Sequence, residues 1–121
     1  MLDFKSISDK ELLELIITSG QSERLLLLTV LRGLIEVESR SLFSLTHSSL
    51  FSWAIETLKL SEGEAQRRID GARLLRRFPS LAAKIESGKI NLTHLSRMSS
   101  FIRAQKKAGE PCTDELILKV I

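Results

Sequence analysis

The residues with the clearest chemistry are five arginines between positions 67 and 77. Arginine keeps its charge at all ordinary pH values, and its planar group of N–H donors matches phosphate oxygens and the edge of guanine. If the segment is helical, Gln66, Arg73 and Arg77 lie on one side of it, and glutamine can pair with adenine. The segment therefore predicts a surface that meets a polyanion. Its arginines are Arg67, Arg68, Arg73, Arg76 and Arg77.

The elements that must position these arginines are two helices and a short turn. A serine-capped apolar helix is predicted from about residue 49 to Leu58, and Ser61 with Glu64 forms a capping box that opens a second helix. Pro79 disfavours helix at the preceding residue and so ends this basic helix near Arg77. Residues 49–77 thus have the parts of a helix-turn-helix, in which the second helix can enter the DNA major groove.

The turn itself follows the general bacterial pattern of a turn residue, an aliphatic residue and a capping serine, here Lys59, Leu60 and Ser61. Two positions depart from the pattern. Lys59 stands where glycine is usual, so the turn needs either a left-handed lysine or a different conformation. Ile55 stands where a small residue is usual, which would widen the approach of the two helices.

Charge is distributed unevenly along the 121 residues. Residues 1–66 have 6 Lys/Arg and 10 Asp/Glu, whereas residues 67–121 have 12 Lys/Arg and 5 Asp/Glu. A basic half joined to an acidic half suits one face that meets a polyanion and another that avoids it. The alternative is that the arginines form solvated ion pairs with the acidic half. Asp70 also lies in the arginine row, where it repels phosphate unless it pairs with Arg67 or Arg73.

The leading prediction is a helical domain that binds duplex DNA through its basic helix. The alternative is a protein-interaction or dimerisation module that does not bind nucleic acid. The predicted DNA contacts are Ser61, Glu62, Gln66, Arg67, Arg68, Arg73, Arg76 and Arg77.

Apolar residues recur at spacings of three and four almost throughout, which predicts an all-α fold. The pattern indicates one compact domain over residues 1–121 with about six to seven helices. The first helix is predicted at roughly 9–19, with a core stripe of Leu12, Leu13, Ile16 and Ile17 that stops at Gly20, and the second from Ser22 to about Arg40. Further helices are predicted at about 81–86, 91–107 and 114–121. Residues 41–47 are predicted to be irregular, with Leu42, Phe43 and Leu45 partly buried.

Two segments are more apolar than a single core face requires. The helix from Leu25 to Val37 is apolar on more than one side, which makes it either a central core helix or a face that pairs with a second copy. The last segment ends inside an amphipathic pattern that includes Ile117, Leu118, Val120 and Ile121. This end predicts either a truncated helix or one that docks on a partner.

Several functions lack the residues that they need. No apolar run approaches the ~18 residues of a membrane span, and the N-terminus is not a secretory signal, so a cytoplasmic protein is expected. Cys112 is the single cysteine, and His47 and His94 lie in separate contexts without an Asp/Asn cluster. Composition is ordinary for a soluble domain. We therefore expect no catalytic activity, no metal or other cofactor and no small-molecule substrate.

Four segments carry a family resemblance: residues 48–53 (SSLFSW), 60–69 (LSEGEAQRRI), 72–79 (ARLLRRFP) and 85–95 (IESGKINLTHL). They resemble the N-terminal helical region of a group of bacterial HNH endonuclease-like proteins, over about half of the chain. The resemblance implies a DNA-targeting module that normally precedes a nuclease domain. The histidine base and metal ligands of that nuclease domain are missing from these 121 residues.

Overall fold

A computed structural model describes the backbone of residues 3–120 and the side chains up to Lys119. This part of the chain is helical without a β-strand, which confirms the all-α prediction. No helix in it is long and apolar enough to cross a bilayer. The elements are α1 (Asp9–Ser39), a short 3-10 helix (Leu42–Leu45), α2 (Leu50–Thr57), α3 (Glu62–Arg77), α4 (Leu81–Ser87), α5 (Leu92–Lys107) and α6 (Asp114–Val120).

The first two predicted helices are one continuous helix, α1, so the predicted break at Gly20 is wrong. Gly20 does not have the left-handed backbone of a helix C-cap, and an added Cβ there would meet no atom within 4 Å. A glycine inside a helix costs only ~1 kcal/mol relative to alanine. The leucine- and glutamate-rich stretches at 11–15 and 23–28 are strong helix formers and outweigh that cost, which explains why α1 continues.

The two halves of α1 differ in their surroundings. Leu28, Leu31 and Leu34 in the second half are buried in the core. In the first half, Leu12 is half-buried, but Leu13 is 62% exposed and both Ile16 and Ile17 are 60% exposed, so most of the predicted core stripe is not covered by the described residues. The stripe has the spacing of a buried face, but the rest of the described chain does not extend far enough along α1 to meet it.

The central element is α3, which packs against α1, α2 and α5. Seven of its sixteen residues are buried, including the charged Asp70. At Gly71 an added Cβ would lie 3.3 Å from Leu95 of α5 and 3.4 Å from Leu31 of α1. A side chain at position 71 would therefore force these neighbours apart, and its absence lets both helices approach the α3 backbone closely.

Most predicted helix ends are confirmed. Ser8, Ser49 and Ser61 cap α1, α2 and α3, and Asn91 caps α5. Gly88, with φ 84°, ends α4 in the left-handed conformation. Local hydrogen-bond chemistry fixes these ends, which is why they can be predicted without knowledge of the tertiary structure.

The C-terminal helix α6 docks on this chain rather than projecting from it. Ile117 is among the most buried side chains, and Thr113 Oγ1 accepts a hydrogen bond from the Leu116 N–H at 3.2 Å. Leu118 remains exposed, and the side chains of Val120 and Ile121 lie outside the described residues. In the 3-10 segment Phe43 is partly buried against the core, as predicted. Leu42 is 43% and Leu45 81% exposed, so their predicted partial burial is wrong, because this short helix packs through Phe43.

We predict that Gly20→Ala strengthens the first half of α1. Alanine removes the ~1 kcal/mol helix penalty of glycine without meeting another atom, so amide hydrogen exchange at residues 12–24 should slow by about fivefold. Gly88→Ala is the matched control. It places an alanine at φ 84°, so it should lower the free energy of unfolding. Faster exchange in Gly20→Ala would instead indicate that the helix breaks at this position in solution.

Candidate nucleic-acid interface

The basic helix follows a short turn of the predicted length. Helix α2 ends at Thr57, α3 begins at Glu62, and the two helices pack against each other. Lys59 has φ 57°, so this lysine adopts the left-handed backbone that the usual glycine would adopt more easily. Leu60 between them is half-buried against the core, as expected for the aliphatic turn residue.

The start of α3 is held by the predicted capping box. Ser61 Oγ accepts from the Glu64 N–H at 3.2 Å, and the Ser61 N–H donates to Glu64 Oε1 at 3.1 Å. These hydrogen bonds, that to the Ser61 backbone first, lower the pKa of the exposed Glu64 carboxyl. Glu62 is exposed beside them in the first turn. Ser61 is thus engaged in its own helix, and both carboxylates give this end of α3 a negative surface.

Gln66 and Asp70 are joined to each other and to α5. Gln66 Nε2 donates to Asp70 Oδ1 at 2.9 Å, and Arg103 Nη1 lies 3.3 Å from the same oxygen. Asp70 is buried, so its charge needs these donors. The sequence predicted a local partner for Asp70, Arg67 or Arg73, but the carboxylate instead meets an arginine brought to it by the packing of α5 on α3.

Arg73 and Arg77 form ion pairs with carboxylates elsewhere in the chain. Arg73 Nη2 lies 2.7 Å from Glu38 Oε2, and Arg77 Nη2 lies 2.6 Å from Asp114 Oδ1. The hydrogen bond to Glu38 is the main reason that the pKa of Arg73 is raised above its ordinary value. The sequence left open whether the arginines form ion pairs with the acidic half of the chain, and the Arg73–Glu38 contact is such a pair. Both arginines still reach solvent, with side chains 56% and 35% exposed.

The other three arginines of α3 point away from that row. Arg68 Nη1 donates to the Glu64 carbonyl at 3.2 Å and borders the face between α1 and α5. Arg67 lies over Gly63, where an added Cβ would be only 3.1 Å from its guanidinium. Arg76 is exposed on the side of α3 that faces Arg32 and Pro79. The five arginines therefore do not form a single cluster.

An open groove of about 340 Å³ lies between α3 and α5. Arg73 and Arg77 of α3 line one wall, and Arg103 and Lys106 of α5 line the other. Sequence reasoning missed the α5 residues because they belong to a separate helix whose facing direction depends on tertiary packing. The signal available was the group of cations in the last five residues of α5, at positions 103, 106 and 107.

Comparison with known proteins gives no family: no protein-family model matches the sequence, and neither curated proteins nor solved structures give a significant match. The likeness to the N-terminal region of HNH endonuclease-like proteins therefore stays a prediction. Within residues 3–119, no three His, Cys, Asp or Glu side chains are grouped as metal ligands. His47 contacts Glu56, and His94 Nδ1 accepts from the Asn91 N–H at 3.1 Å as part of the α5 cap.

We predict that Arg103→Ala lowers the free energy of unfolding by about 1–3 kcal/mol, because it removes the positive charge that is paired with a buried carboxylate. Arg97→Ala, on the exposed side of the same helix, is the matched control and should change stability by no more than ~0.5 kcal/mol. Urea denaturation of both variants measures the difference. Equal stability of the two variants would contradict the structural role of the Arg103–Asp70 pair.

The lowered pKa of Glu64 predicts a pH dependence. Because the folded state holds the carboxyl charged, the stability from this cap is present at neutral pH and is lost as pH falls through the lowered pKa. Glu64→Gln should therefore be less stable than the unaltered chain at pH ~7, and the gap should shrink as pH falls below ~4. Thermal melts across this range provide the measurement, and a constant gap would contradict the assignment.

Proposed function

We propose that this chain is a DNA-binding helical domain that contacts duplex DNA along the basic groove between α3 and α5. The observation that carries the proposal is the convergence of Arg73, Arg77, Arg103 and Lys106 on one open groove. Nucleic-acid contacts are made largely to phosphate oxygens, and arginine and lysine on adjacent helices are suited to follow a phosphate backbone.

The distribution of charge favours the groove between α3 and α5 over the start of α3 as the DNA-binding surface. The groove belongs to the basic half of the sequence, whereas the start of α3 has Glu62 and Glu64 in its first turn. We therefore place the main DNA contacts at the second half of α3 and on α5. The predicted contacts at the start of α3 are less favourably placed for DNA, because Ser61 caps the helix and Gln66 donates to Asp70. They remain predictions, as does Glu62.

The two ion pairs in the groove are compatible with binding. Exposed ion pairs contribute only ~0–1 kcal/mol, so a phosphate group can displace Glu38 from Arg73 and Asp114 from Arg77 at small cost. Glu38 and Asp114 then compete with DNA phosphates for the same guanidinium groups. Removal of a competing carboxylate should therefore strengthen DNA binding.

The turn between α2 and α3 supports a helix-turn-helix assignment, with left-handed Lys59 at the usual glycine position. Taken with the resemblance of residues 48–95, the domain is proposed as the targeting module of an HNH nuclease-like protein. A bacterial, cytoplasmic setting belongs to the same proposal. The catalytic step would be performed by a separate nuclease domain, while the 121 residues here supply affinity for DNA.

We expect Arg73→Gln with Arg77→Gln to weaken binding to a duplex by about 10- to 100-fold at low salt. The slope of log affinity against log salt should become shallower by about 2, one unit for each lost phosphate contact. Fluorescence anisotropy with a labelled duplex measures both quantities. Arg40→Gln is the matched control, since Arg40 is an exposed arginine that pairs with Glu36 on a different face.

The opposite change separates DNA binding from a purely structural role of the ion pairs. Glu38→Gln should tighten DNA binding by about 2- to 10-fold, because it frees Arg73 and removes a negative charge from the edge of the groove. If Arg73 only stabilises the fold, Glu38→Gln will lower the melting temperature without any gain in affinity. No binding of the unaltered chain at low salt would contradict the proposal and favour an interaction module.

A further inference from the structure

Two arginines outside the groove proposed for DNA have no carboxylate partner within the described chain. Arg32 of α1 and Arg76 of α3 are both exposed, and they line the same small pocket. Neither forms an ion pair with a carboxylate of residues 3–119. Glu36 has the spacing to pair with Arg32 along α1, but it pairs with Arg40 at 3.0 Å instead. The pocket therefore has two positive charges that the described residues leave uncompensated.

The rest of the pocket lining is apolar. It consists of Ile35 from α1, Leu75 from α3, Pro79 from the following turn and Ala82 from α4. Leu75 is buried, Ile35 and Ala82 are partly buried, and Pro79 is exposed. The pocket thus lies where α1, α3 and α4 meet, and it combines an apolar floor with the two exposed guanidinium groups.

The size of the pocket limits what it can hold. Its volume is about 220 Å³, whereas sites for small-molecule ligands and cofactors usually measure about 300–1,000 Å³. The space is suited to one aliphatic side chain rather than to a whole cofactor. A binding partner would therefore insert a single apolar group here and make its remaining contacts at the edge of the pocket.

The lining is also unsuited to a DNA phosphate. A phosphate group would lose hydration against the apolar floor without gaining a hydrogen bond there, and this is unfavourable for a charged group. The groove between α3 and α5 has four cationic side chains, and it shares no lining residue with this pocket. The two surfaces differ in chemistry and do not overlap.

An acidic peptide with an aliphatic residue among its carboxylates matches both parts of the lining. The aliphatic side chain would be removed from water against the floor, which is favourable. The neighbouring carboxylates would meet guanidinium groups, whose N–H donors suit carboxylate oxygens. An apolar centre surrounded by a polar rim is the usual organisation of a protein interface.

We propose that the pocket between α1, α3 and α4 docks an acidic peptide segment of a partner protein. A leucine or similar residue of the segment packs on Ile35, Leu75 and Ala82, and its carboxylates pair with Arg32 and Arg76. One apolar anchor and two exposed ion pairs give weak binding, so a Kd of about 0.1–1 mM is expected for an isolated segment. This interaction does not depend on DNA binding.

Titration of the nitrogen-15-labelled full chain with short capped peptides, followed by two-dimensional NMR, tests the proposal. The peptide EELEE should shift the amide signals of residues 32–35 and 75–82. The peptide EESEE keeps the charges without the anchor, and QQLQQ keeps the anchor without the charges. Each should bind at least fivefold more weakly than EELEE, because each lacks one of the two kinds of contact.

Arginine variants test the charged part of the site. Arg32→Gln with Arg76→Gln should weaken binding of EELEE at least fivefold. Arg97→Gln with Lys107→Gln is the matched control, because it removes the same charge from two exposed positions on α5, which does not line the pocket. All four side chains are exposed, so the NMR spectra should show intact folds in both variants.

Three results would overturn the proposal. EELEE could fail to shift the amides of Ile35 and Ala82, or EESEE could bind as tightly as EELEE, in which case charge alone would explain the contact. A short DNA duplex could also shift these two amides when EELEE does not, which would make the pocket part of the DNA-binding surface. Binding of EELEE by a chain that does not bind the duplex would support the peptide site and contradict the proposed DNA binding alone.

Discussion

The structure depends on the burial of α3 between α1 and α5. At Gly71, a Cβ atom would lie only 3.4 Å from Leu31 on one side and 3.3 Å from Leu95 on the other. Both leucines are completely buried. Burial of such side chains contributes ~1.5–3 kcal/mol each, and a side chain at position 71 would have to push them aside. The arginines of α3 all lie outside this buried face, whereas Asp70 lies within it.

Because α3 is packed between α1 and α5, it both fills the core and positions charged side chains. Its apolar residues fill the centre of the fold, and its arginines extend from the edges of the buried face toward neighbouring helices. Asp70 meets Arg103, Arg73 meets Glu38, and Arg77 meets Asp114. The same ion pairs that connect α3 to α1, α5 and α6 thus surround the groove that we propose for DNA. The guanidinium groups that stabilise the fold are thus the same groups that we propose bind DNA. A DNA phosphate would replace a carboxylate of the chain at each of them.

Helix α1 extends beyond the body formed by α3 and its neighbours. Arg24 Nε donates to the Glu86 carbonyl at 3.2 Å, and this contact marks where α1 meets the end of α4. Beyond it, toward the N-terminus, the helix keeps its apolar stripe but has no covering layer among residues 3–119.

The sequence by itself determined the all-α class, the caps at Ser61, Asn91 and Gly88, and the order of helices from α2 onward, because these depend on hydrogen bonds and spacings within a few residues. It could not determine that α1 continues through Gly20, or that Leu13 and Ile16 are exposed. The same spacing describes a buried stripe and an uncovered one. Only tertiary structure decided the partners of Asp70, Arg73 and Arg77 and the inclusion of α5 in the groove. These contacts join residues more than thirty positions apart, and the packing of α1 and α5 around Gly71 brings them together.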